Sequence, residues 1–106
     1  MAEDSSPVPL SGETLLRLEL LFAPDTRELA ELMLTVDCGN NLPFHESHDA
    51  KSLERVRFAA LKVSEGELGK LEAAIKLAQI DWRDLLVAAG FGHDVEAHLK
   101  WLPTSP

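Results

Sequence analysis

Between Ser52 and Leu102 the apolar residues recur at intervals of three and four, a spacing that only a helix turns into one continuous face. Leu53, Val56, Ala60 and Val63 make one such stripe, flanked by Phe58 and Leu61. Leu68, Leu71, Ile75 and Ala78 make the next, flanked by Leu77. Between them, Ser64-Glu65-Gly66-Glu67 reads as a capping box, with the serine accepting a free backbone N–H and Glu67 reaching back. Two amphipathic helices joined by a short turn must bury their stripes against further helices, so the chain is committed to helix-on-helix packing.

The remaining segments fit that plan. Ser11 is placed to cap a helix running to about Ala23, with Leu15, Leu18 and Phe22 on one side and Leu16, Leu20 and Leu21 widening it. Leu16, Leu18, Leu20 and Phe22 also alternate as a strand would, but good helix formers dominate and β-branched residues are scarce, which favours helix over residues 14–22. Pro24-Asp25 breaks the run, and Asp25-Thr26-Arg27-Glu28 reads as the cap of a second helix with Leu29, Leu32, Met33 and Val36 facing the core. Gly39-Asn40-Asn41 stops it. A loop follows, with Leu42-Pro43-Phe44 held against the core, and a third helix starts near Ser47 or Asp49 and reaches Val63.

The fourth helix is expected from Glu65 to Gln79, and a fifth from Asp81, whose carboxylate suits an N-cap. Gly90 at C′ and Phe91 at C″ give the signature of a Schellman ending. A short sixth helix would start at His93 or Asp94 and run through Val95, Leu99 and Leu102 to Pro103. The expected fold is therefore all-α, a single compact bundle of five to six short helices over residues 11–103, with a disordered tail at 1–10 and a C-terminal tail at 104–106. Its core should include Leu18, Leu32, Val56, Leu61, Leu71, Ile75, Leu86 and Leu99.

Composition narrows function more by exclusion than by suggestion. A single cysteine, Cys38, rules out an intramolecular disulfide and fits a reducing compartment. Residues 1–7 are acidic and lack a basic, then apolar, leader pattern, and the densest apolar stretch, Leu15 to Ala23, is interrupted by Arg17 and Glu19. A cytoplasmic protein with no membrane partner is expected. The net charge is −8, of which residues 1–37 carry −6 and residues 38–106 carry −2. No basic stripe offers itself to phosphate, so no nucleic-acid partner is expected.

Candidate chemistry is sparse. In His45-Glu46-Ser47-His48-Asp49 the histidines stand three apart, one short of the zincin spacing, with Asp37 and Cys38 nearby as further donors. Cys38 with His45 or His48 is also the minimum for a thiolate–imidazole pair, although a free cysteine ending an apolar stripe is more often a small buried hydrophobe. Asp94 and His98 share a helix face and read as an ordinary surface pair. Asp81, Arg83 and Asp84 are explained by capping and the helix dipole. Leu85 to Trp101 has the length of a helix-turn-helix, but a second helix offering Asp94, Glu96, His98 and Lys100 would repel phosphate. Trp82 and Trp101 are the aromatics suited either to anchoring the last helices or to meeting a partner, Trp101 being the better placed for the latter.

P-loop, Gly-x-Ser-x-Gly, Gly-x-Gly-x-x-Gly, EF-hand and Cys-x-x-Cys patterns are all absent, so no cofactor is expected. The leading expectation is a non-enzymatic protein-interaction or regulatory module. The alternative is a metal-dependent or thiol enzyme centred on the Asp37–Asp49 loop. The wide apolar faces of the third and fourth helices raise self-association, which the −8 charge opposes, so a monomer is favoured over a homodimer.

Overall fold

The computed structural model describes residues 10–38, 50–92 and 97–103, and among these every regular element is helical. Four α-helices follow one another: α1 (Gly12–Leu21), α2 (Pro24–Asp37), α3 (Ala50–Ser64) and α4 (Leu68–Ala89), then a 3-10 turn at Ala97–Lys100. The antiparallel pair of α3 and α4 forms the largest interface, with α1 laid on α3 and α2 on α4. The expected tails at 1–9 and 104–106 and the segments 39–49 and 93–96 lie outside the described residues, while Leu10 is packed against the core.

α1 starts as its sequence dictates. Ser11 is extended (ψ 163°), its Oγ accepts from Thr14 N at 3.1 Å, and its hydroxyl donates to Glu54 of α3. One serine thus caps α1 and ties it to its neighbour. The alternation over residues 14–22 is not used, because Thr14, Arg17 and Leu18 turn inward on a helical period.

α2 departs from expectation at both its start and its facing. Asp25 to Glu28 do not cap it; Ala23 does, its carbonyl accepting from Thr26 N at 3.0 Å and Arg27 N at 2.8 Å, with Pro24 as the first helical residue. Proline has no N–H to satisfy there and its φ is already helical, so the helix begins earlier. The residues facing the core are Ala30 and Leu34, followed by Cys38. Leu29, Leu32 and Val36 are 50%, 57% and 49% exposed, so the expected core stripe points outward and only Met33 of that set is partly buried. α2 is apolar on two opposite sides, and periodicity alone cannot choose between them. Its rotation is fixed from outside: Arg57 Nε of α3 donates to Cys38 O at 2.9 Å and Gln79 Nε2 of α4 donates to Asp37 O at 2.9 Å. Both bonds satisfy carbonyls that the end of a helix leaves unpaired.

The turn between α3 and α4 also differs from the expected capping box. Ser64 is buried and closes α3, its Oγ donating to Leu61 O at 2.6 Å and accepting from Gly66 N at 3.2 Å. Glu67 caps α4 without a side-chain bond, because its carboxylate faces Lys70 at 3.6 Å. The reversal runs through two left-handed residues, Glu65 (φ 53°) and Gly66 (φ 82°). A Cβ on Gly66 would sit 2.7 Å from Leu21 O at the end of α1. Gly66→Ala therefore combines an unfavourable φ with a backbone clash, and should lower the unfolding free energy by about 2 kcal/mol in urea melts. Glu65→Gly, by contrast, relieves a strained φ and should leave the midpoint unchanged or raised.

The expected division between a fourth and a fifth helix is present as a break within α4 at Asp81. α4 runs through Asp81, which alone leaves helical geometry (φ −156°, ψ 91°) and whose Oδ1 accepts from Arg83 N at 3.1 Å and Asp84 N at 3.4 Å. Asp81 caps the second arm, as read from the sequence, but the axis bends there rather than reversing through a loop. The helix ends at Gly90 (φ 82°), with Phe91 N donating to Leu86 O at 2.8 Å and Gly90 N to Val87 O at 3.0 Å, the paired bonds of a Schellman motif. Where a sixth α-helix was expected, the described residues form a 3-10 turn. Among the described residues there are four α-helices, the last of them kinked at Asp81, where five to six were expected.

Leu18, Val56, Leu61, Leu71, Ile75 and Leu86 are all in the core, Leu32 is not, and the side chain of Leu99 lies outside the described set. Phe58 and Leu61, which flank the α3 stripe, are fully buried, so α3 keeps no spare apolar face. Among the described residues the uncovered apolar surface is mostly on α1 and α2, at Leu15, Leu16, Leu20, Leu29, Leu32 and Val36, with Ile80 and Val87 on α4 and Leu102 after the 3-10 turn.

Candidate functional site

Among the described residues, those singled out for chemistry do not come together in a reaction centre. His45 and His48 lie outside the described residues, as does Asp94. Among the described residues no three His, Cys, Asp or Glu side chains converge on a point where a metal could sit. Cys38 is fully buried at the end of α2, and burial, only partly offset by the Arg57 charge, pushes its thiol up to about 12. Arg57 is itself buried, and burial pulls its guanidinium below its ordinary value, with Cys38 acting the other way. A thiol in that position stays protonated at neutral pH and is a packing residue.

Two measurable consequences follow. At pH 8 the native protein should leave Cys38 unreacted with a disulfide reagent, and unfolding should release one reactive thiol. The thiol also sets an alkaline slope. Above pH 9 the unfolded chain loses the Cys38 proton while the folded chain keeps it, so stability falls with rising pH towards 12, by about 1.4 kcal/mol per unit. Below pH 9 both states hold the proton and the term vanishes. Urea titrations of wild type and Cys38→Ala at pH 8 and pH 10.5 should differ by that slope.

Near the C-terminus the structure corrects the surface reading of His98, which is fully buried, its ring 5.2 Å from that of Phe58 in an edge-on arrangement. The second element of the helix-turn-helix considered for Leu85 to Trp101 is, over its described residues, a 3-10 turn at Ala97–Lys100. Trp101 is half-buried, 6.3 Å from both Phe58 and Phe91, and its carbonyl accepts from Arg17 Nε at 3.0 Å and Nη2 at 2.9 Å. Trp82 is half-buried against the core with the Arg83 guanidinium 5.4 Å over its ring. Both rings anchor their elements. Asp81 and Arg83 serve the α4 bend and the Trp82 ring respectively.

The reading of the sequence missed Arg17 altogether. It is 3% exposed on α1, with its guanidinium 4.2 Å over the Phe58 ring and a bond from Nη1 to Glu13 Oε1 at 2.9 Å. Its only signal was a basic residue inside an apolar run, which could equally mark a solvent-facing position.

The concave surfaces among the described residues include two larger than a third of about 190 Å³ between α2 and α4. A cleft of about 780 Å³ opens where the second arm of α4 bends back towards the end of α3. Lys62 and Lys70 stand on its rim over Ala73, Ala74 and Leu77. Their charges are already engaged: Lys70 Nζ lies 2.7 Å from Glu65 Oε1, and Lys62 Nζ lies 5.0 Å from the centre of the Phe91 ring. The second surface, of about 510 Å³, runs along α2 and is lined by Asp25, Glu28, Leu29, Glu31 and Leu32. Leu29, Leu32 and Val36 are spaced by three, four and seven along the helix, an outward ridge two turns long.

No protein-family model, curated protein or solved structure matches this chain. Among the described residues no helix is long and apolar enough to cross a membrane.

Proposed function

We propose that this chain is a non-enzymatic interaction module that receives a protein partner on the outer face of α2. What supports the reading is the ridge of Leu29, Leu32 and Val36, each about half exposed, on the side of α2 opposite Ala30 and Leu34. Single exposed leucines are ordinary; three in helical register on a second face of an already amphipathic helix are not. Each retains on the order of 1 kcal/mol of burial free energy to gain from a partner. Helices docked on apolar surfaces are read through this i, i+3, i+7 spacing.

Leu32→Lys tests it. The side chain is 57% exposed, so the substitution should move stability by less than about 0.5 kcal/mol and leave the helical circular dichroism intact. Tagged protein at native level in its own host should recover a partner with wild type and lose it with Leu32→Lys. Recovery of no partner, equal recovery by both forms, or turnover of a small molecule by the purified protein would overturn the reading.

A further inference from the structure

The charges around the α2 ridge narrow what can sit on it. Every exposed ionisable side chain of α2 is a carboxylate: Asp25, Glu28, Glu31 and Asp37. Its single base, Arg27, is half-buried and donates back to Phe22 O at 3.3 Å. Asp25, Glu28 and Glu31 line the same groove as Leu29 and Leu32, so anything seated on the leucines lies within reach of three acids. A second copy of this chain would bring the same carboxylates and a further net charge of −8 to the contact. An anionic lipid surface or a nucleic acid would meet the same repulsion.

We infer that the occupant is a basic amphipathic helix: an apolar ridge at i, i+3 and i+7 to lie against Leu29, Leu32 and Val36, with Lys or Arg beside it to meet Asp25, Glu28 and Glu31. The inference rests on the docking role proposed for α2. The ridge spans eight residues, about 10 Å of helix, so two to three turns of the partner cover it. Opposite charges across such a contact speed encounter and fix orientation, and their contribution is screened by salt.

The test is selection from a displayed library of helical peptides with randomised apolar and flanking positions, using full-length wild type as bait and Leu32→Lys as counter-bait. Sedimentation equilibrium of the bait runs beside it. Enriched peptides should be net positive, carry the spaced ridge, lose binding to Leu32→Lys, and weaken by at least about tenfold between about 50 and 500 mM salt. Enrichment of neutral or acidic ridged helices would overturn the basic partner and keep α2 as a docking face. A doubled mass that Leu32→Lys abolishes would do the same, with a second copy as occupant. A bait that stays at 11.7 kDa and enriches nothing dependent on Leu32 would overturn both.

Discussion

Phe58→Ala is expected to lower the unfolding free energy by about 3–5 kcal/mol, measured in urea with Trp82 and Trp101 as fluorescent probes. The side chain is fully buried, and its contacts join α3 to α1 and to the C-terminal 3-10 turn. Its ring meets His98 at 5.2 Å, Trp101 at 6.3 Å and the Arg17 guanidinium at 4.2 Å. Alanine removes the ring and leaves its neighbours around a void that helices pinned from several sides cannot collapse. A chain of this length has roughly 5–15 kcal/mol to lose, so the variant sits near the edge of folding. Phe58→Leu keeps most of the volume and should cost only about 1–2 kcal/mol, chiefly the lost aromatic and cation–π contacts. Equal losses for the two variants would show that the ring's electrons, not its volume, matter most.

Arg17→Ala should cost about 2–4 kcal/mol, although it removes a charge from a largely buried site. Two N–H groups of the guanidinium satisfy the Trp101 carbonyl, at 3.0 and 2.9 Å, and its face covers Phe58. Truncation leaves that carbonyl without those donors and opens the ring to water. The ion pair with Glu13 is the minor part: Glu13 is 65% exposed, so Glu13→Gln should shift stability by less than about 1 kcal/mol. Arg17→Lys should recover only part of the loss, since an ammonium cannot offer two parallel donors and a flat face together. If Glu13→Gln proves as damaging as Arg17→Ala, the ion pair carries the site and the double bond to Trp101 does not.

What the sequence made legible is what neighbouring residues decide among themselves. Ser11 caps α1, Asp81 caps the second arm of α4 and Gly90 ends it, because each signal acts within a few residues of its own position. The same locality explains the misreadings. Ser64 carries a cap signal, but Gly66 offers the left-handed turn that lets it close α3 instead of opening α4. The facing of α2 is decided by Arg57 and Gln79, nineteen and forty-two residues from their acceptors, and no periodicity contains that information. Arg17 and His98 are polar residues made acceptable inside by distant aromatics, so composition placed neither. The exposed face of α2 was legible as an apolar stripe and misassigned to the core, since Leu29, Leu32 and Val36 look alike from within α2 whichever way it is turned.

The bond from Arg17 to the Trp101 carbonyl joins positions 84 residues apart, and that separation has a meaning during synthesis. Ribosomes add about 5–20 residues per second, so roughly 4–17 s pass between making the arginine and making its acceptor. A helix of ten residues is marginal alone, so α1 is held by α2 and α3 while the carbonyl that will accept from Arg17 has yet to be made. Throughout that wait its leucines and an unsatisfied guanidinium travel together on the nascent chain. The arginine of α1 is seated long after it is made.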